Sequence, residues 1–159
     1  MKASDVMTKP VITVRPATTI DDAARLLTEG SVNTLPVTDG DGRLVGAVTE
    51  TEVFHALALR LGIGLSPTAR LDDQSTPRRV SDISKPVSAA VHAGDEMSYC
   101  LAVMARNGGR SLPVLDAGQV VGIISRREAL RALAQVDLAA LQQLVGEGRL
   151  AAVPEMVGQ

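Results

Sequence analysis

Two four-residue runs place a hydroxyl three positions ahead of a carboxylate: Thr49-Glu50-Thr51-Glu52 and Ser125-Arg126-Arg127-Glu128. Each follows a short apolar run opened by a glycine, Gly46-Ala47-Val48 and Gly122-Ile123-Ile124. Each hydroxyl therefore stands where an extended segment turns into a helix. A helix start carries unpaired backbone N–H groups and the positive end of the dipole, which attract phosphate. Thr49 and Ser125 are placed to hydrogen-bond a phosphate oxygen there. The same runs satisfy the capping-box pattern, in which the acid folds back onto its own N-cap amide. Both readings stand at this stage.

Little other chemistry is on offer. A single Cys100 excludes an internal disulfide and any C-x-x-C metal or redox site; it matches Ala23 of an apolar helix face and reads as a small core residue. Two histidines, His55 and His92, do not make a His-rich zinc site and read as surface residues. The surroundings of Ser125 are not G-x-S-x-G, and no P-loop is present. Residues 146–151, G-E-G-R-L-A, match part of a dinucleotide fingerprint but lack the βαβ unit it needs. With no nucleophile–base pair or cofactor loop, the chain reads as a non-enzyme requiring no cofactor.

Composition narrows the partners. The 159 residues are 45% hydrophobic and 21% charged, enough for a core and unlike a disordered chain. Aromatics are only 1% and the formal net charge is −2, so neither base stacking nor a basic field favours nucleic acid. The opening MKASDVMTKPV has no signal-peptide pattern, and the apolar stretch 53–65 is too short to cross a bilayer. The expected location is cytoplasmic, with no membrane partner.

The chain repeats itself, with matched positions 76 or 77 residues apart. T-L-P-V-T-D at 34–39 returns as S-L-P-V-L-D at 111–116, L-V-G-A-V-T-E-T-E-V at 44–53 as V-V-G-I-I-S-R-R-E-A at 120–129, and S-D-V-M-T-K-P-V at 4–11 as the shorter S-D-I-S-K-P-V at 81–87. In the first copy, 11–14 reads as extended after Pro10. A helix then starts at Thr18 and Thr19 and stops at Gly30. Strands at 35–38 and 44–48 flank a turn at 39–42, and a second helix covers 51–61. The second copy places its helices at 96–106 and 126–134. This is an α/β (α+β) chain of two β-α-β-β-α repeats, at 1–61 and 80–134. A linker fills 62–79, and a helix and tail with apolar residues at 138, 141, 144 and 145 occupy 135–159.

These duplicated motifs resemble the CBS domain, and a tandem pair of them resembles a Bateman module. The resemblance implies two repeats packed about a pseudo-twofold axis, with clefts that take AMP, ADP, ATP or S-adenosylmethionine. It implies an energy-sensing regulatory role on a partner protein. In that family an Asp three residues after the hydroxyl accepts from both ribose hydroxyls, and this chain departs by carrying Glu52 and Glu128 there. Gly46 and Gly122 would leave room for a flat base to approach the backbone, and Val11, Ile12, Val87, Ala47 and Ile123 would line an adenine slot. Thr13 adds a hydroxyl to one cleft, where Ala90 at the matching place cannot.

The two copies differ in charge. Arg110 falls at a family position that contacts phosphate, where the first copy has Asn33. Arg126 and Arg127 follow Ser125, where the first copy has Glu50 and Thr51. Cations favour a polyphosphate and carboxylates repel it, so the second copy is expected to hold the anionic nucleotide. The alternative is a ligand-free homodimerisation module in which both glutamates only cap helices and the arginines only face water.

Overall fold

The computed structural model describes residues 1–63 and 76–135; the helix expected near 138–145 and most of the 62–79 linker lie outside them. In chain order the elements are α1 (Ala3–Val6), α2 (Ile20–Glu29), β1 (Thr34–Thr38), β2 (Leu44–Thr49), α3 (Glu50–Arg60), a 3₁₀ turn (Val80–Asp82), β3 (Val91–His92), α4 (Met97–Arg106), β4 (Leu112–Asp116), β5 (Gln119–Ile124) and α5 (Arg126–Leu133). The chain divides into two compact units. One, the continuous unit, is Ile12–Pro86; the other, the split unit, joins Met1–Val11 to the chain from Val87 onward. Packing thus cuts the molecule differently from the sequence repeat: the leading segment of each copy belongs to the unit built by the other.

In the continuous unit β1 and β2 pair antiparallel, with Leu35 opposite Val48 and Val37 opposite Gly46. The extended piece expected at 11–14 reduces to Val14, which bridges Val37 in parallel. Apolar residues one helical turn apart give α2 its buried face of Ile20, Ala23 and Leu27. Its start is fixed by Thr19, whose hydroxyl accepts the Asp22 amide at 3.1 Å. It ends at Gly30, which keeps a helical φ of −79°, and the left-handed residue is the next one, Ser31, with φ of 50°. Glycine is needed at 30 because a Cβ there would lie 2.4 Å from Ile12 Cδ1 and 2.8 Å from the Leu26 carbonyl. Val80, from beyond the linker, completes this core beside Val53 and Ala56 of α3.

In the split unit β3 runs parallel to β4, and β4 pairs antiparallel with β5. The two-residue turn between them, Ala117-Gly118, has φ of 47° and 80°, the mirror-image turn that matches strand twist. Met97, Cys100, Val103 and Met104 of α4 pack on Leu112, Val114 and Ile124. Ala3 of α1 is fully buried in that core, held by its amide on the Asp95 carbonyl at 2.8 Å.

Candidate functional site

The two hydroxyl–acid runs sit where strand becomes helix in both units. In the continuous unit β2 ends on Thr49, whose extended backbone (φ −108°, ψ 166°) hands the chain to α3. Glu52 Oε2 accepts the Thr49 amide at 2.8 Å and also the Thr49 hydroxyl. In the split unit Glu128 Oε2 accepts the Ser125 amide at 3.0 Å and the Ser125 hydroxyl. Ser125 Oγ in turn accepts the Arg127 amide at 3.2 Å. Both acids are folded onto their own helix starts, as a capping box requires. Thr49 with Glu52, and Ser125 with Glu128, are each brought together.

A second strand of chain crosses each of these sites. Lys85 pairs with Ala47 through two backbone hydrogen bonds of 3.0 Å, and its ammonium lies 3.2 Å from Glu52 Oε1. Thr8 pairs in the same way with Ile123, at 2.9 and 3.3 Å. These crossings occupy the Cβ side of Gly46 and Gly122. A Cβ on Gly46 would lie 3.1 Å from the Lys85 carbonyl, and one on Gly122 would lie 2.3 Å from Met7 Sδ. On that side each glycine admits the crossing chain.

Electrostatics favour ionised acids in both places. Burial works to raise the Glu52 carboxyl, but the Thr49 hydroxyl and amide and then Lys85 outweigh it and leave it below the ordinary value. Glu128, only 8% exposed, is likewise pushed up by burial. The Ser125 hydroxyl and amide, with its own amide and the Thr8 hydroxyl, bring it below that value.

The remaining expected residues are distributed unevenly. Arg126 and Arg127 are exposed on the first turn of α5, and Arg110 is exposed ahead of β4. Gly109 lies close enough to Arg126 that a Cβ there would be 3.7 Å from Arg126 Cδ, so the turn carrying Arg110 runs beside that arginine. The slot residues divide between the units: Ile12, Ala47 and Thr13 belong to the continuous unit, and Val11, Val87 and Ile123 to the split unit. Ile12 packs on its own unit's core, and Ile123 is buried. Lys85 was not anticipated. Its signal was the S-D-x-x-K-P stretch at 81–86, which returns the 4–10 stretch one residue shorter.

His55 and His92 are exposed. Cys100 is fully buried, and burial, with Asp95 nearby, pushes its thiol up to about 12. Among the described residues no group of three or more His, Cys, Asp or Glu side chains could hold a metal ion, and no helix is long and apolar enough to cross a membrane.

The family model of the CBS domain matches this chain twice, over residues 3–59 and 80–135. The chain belongs to the CBS domain family, as a tandem pair. This CBS pair is 30% identical over 136 residues to a 17.7 kDa protein of Acidianus ambivalens, covering 85% of this chain and 74% of that one. It is 29% identical over 140 residues to the chloroplastic CBS domain-containing protein CBSX1 of Arabidopsis thaliana, covering 77% of this chain and 59% of the relative. Against the crystal structure of CBSX2 in complex with AMP, the CBS pair gives a TM-score of 0.69 at 29% identity, covering 84% of this chain and 96% of that one. Its mixed α/β architecture is therefore that of solved CBS pairs.

Proposed function

We propose that this protein is a non-catalytic regulatory module of the cytoplasm that binds an adenosine-containing ligand, AMP foremost, and acts on a separate partner protein in response to adenylate levels. The observation that carries this reading is the likeness to CBSX2, a protein solved with AMP. The chemistry supports it. Each unit presents a helix start with a hydroxyl, an ionised acid and nearby cations, a combination suited to phosphate and sugar hydroxyls. ADP, ATP and S-adenosylmethionine carry the same adenosine and remain candidates for the ligand.

Glutamate in place of aspartate sets a condition on binding. To reach a ribose diol, Glu52 or Glu128 must rotate off its own N-cap, and the ligand must compensate the freed amide and hydroxyl. The split unit offers more to an anion through Arg110, Arg126 and Arg127, so the nucleotide is assigned there first. Isothermal titration with AMP, ADP, ATP and S-adenosylmethionine tests the proposal; folded protein silent to all four would refute it.

A second reading, a structural homodimer that takes no ligand, is favoured by the engagement of both acids in their caps. The two separate on one pair of variants. If Glu52→Ala and Glu128→Ala lose helix stability with no change in titration heats, the structural reading holds.

A further inference from the structure

Glu52 and Glu128 occupy matching places, but their second partners differ in charge. Glu52 faces the Lys85 ammonium at 3.2 Å, whereas Glu128 has the Thr8 hydroxyl. The cause is one residue of chain length. The copy at 4–11 is one residue longer than that at 81–87. Across from Ile123, register therefore places Thr8 and not Lys9, while across from Ala47 it places Lys85. A slip of one position exchanges the side chain at a given site.

The difference bears on what each acid can do for a ligand. Turning Glu52 off its N-cap toward a diol draws the carboxylate away from Lys85, which then needs another anion. Unphosphorylated adenosine offers hydroxyls and no anion, so engaging it strips the ammonium of its counter-charge. A phosphorylated adenosine brings its own. Lys85 is 71% exposed and Glu52 18%, so the ammonium is reachable by a phosphate on a flexible four-carbon stem. The ammonium end of the pair stands in water, which weakens its hold on Glu52 and eases the exchange. Glu50 is also exposed at the opening of α3 and repels an anion, so the attraction for a phosphate here rests on Lys85, the cation paired with Glu52.

We infer that Lys85 makes the continuous unit selective for phosphorylated over unphosphorylated adenosine ligands, by trading its pairing with Glu52 for the phosphate. This rests on the nucleotide reading above. The test titrates AMP and adenosine into the full chain while following the backbone amide resonances of residues 46–53, which report this unit alone. Three proteins are compared: wild type, Lys85→Arg and Lys85→Thr, the last installing the residue type found at the matching register.

In wild type and Lys85→Arg, AMP is expected to bind this unit about tenfold more tightly than adenosine, the size of one charge-assisted hydrogen bond. In Lys85→Thr the preference should fall close to unity, through weaker AMP and unchanged or tighter adenosine. Lys85 is exposed, so the spectrum of Lys85→Thr should remain that of folded protein. A wild type that binds AMP here with a preference unmoved by Lys85→Thr overturns the selectivity alone. A wild type that binds neither ligand here overturns both the nucleotide reading of this unit and the selectivity.

Discussion

Phe54 and Leu130 are each the fifth residue of their helices, α3 and α5, and each leaves 67% of its surface exposed. Large apolar side chains at matching positions of both copies suit a partner that meets each copy in the same way, as a second molecule of this chain would. A dimer built on these two positions predicts that Phe54→Asp and Leu130→Asp shift the protein from dimer to monomer in sedimentation velocity. Their stability should stay within about 0.5 kcal/mol of wild type, because neither residue is in a core. A wild type that is monomeric at high concentration would refute the dimer.

The capped acids predict a pH dependence. Both Glu52 and Glu128 titrate below the ordinary value of 4.5 in the folded protein. Their stabilisation is therefore complete above that value and is lost as pH falls through the lower folded value. Denaturant midpoints measured from pH 7 to pH 3 should drop, and drop less in Glu52→Gln and Glu128→Gln. At pH 7, Glu52→Ala and Glu128→Ala should each cost about 1 kcal/mol, the size of a lost cap. Equal acid sensitivity in wild type and both Gln variants would contradict the assignment.

Met7 fills the space over Gly122. Gly122→Ala is expected to destabilise by about 1–3 kcal/mol through overpacking. Shortening the intruding side chain should relieve it, so Met7→Ala with Gly122→Ala should cost less than the two single changes added together, by at least about 0.5 kcal/mol. Strict additivity in urea melts would show that Met7 does not lie there.

Cys100 should be chemically silent in the folded state. With the thiol near 12, only about one molecule in ten thousand carries thiolate at pH 8, and the side chain is fully buried. Ellman's reagent at pH 8 should react slowly with native protein and at once in denaturant. Stoichiometric reaction of native protein within minutes would contradict the burial.

Local chemistry explains which parts of this fold could be foreseen. Thr19 before two acids, the glycine-bearing turns and the T-x-x-E and S-x-x-E runs act through neighbours a few residues away, so α2, both hairpins, α3 and α5 follow from them directly. The turns Ala3–Val6 and Val80–Asp82 are too short to show a period, and tertiary contacts decide them. The leading segments fall in the same class: nothing local to residues 1–11 says that Ala3 joins the core of Met97 and Leu112. Lys85 was missed because its role depends on that crossing. Gly30, foreseen as a stop, has its reason in Ile12, eighteen positions earlier.

The placement of Met1–Val11 with the later half has a consequence for how such a protein can be made or borrowed. A ribosome that has released only residues 1–61 has produced a hairpin still waiting for Val80 and an opening segment whose core does not yet exist. Neither copy is a separable cassette, so inheritance, fusion or truncation of the gene must treat the two copies as one piece.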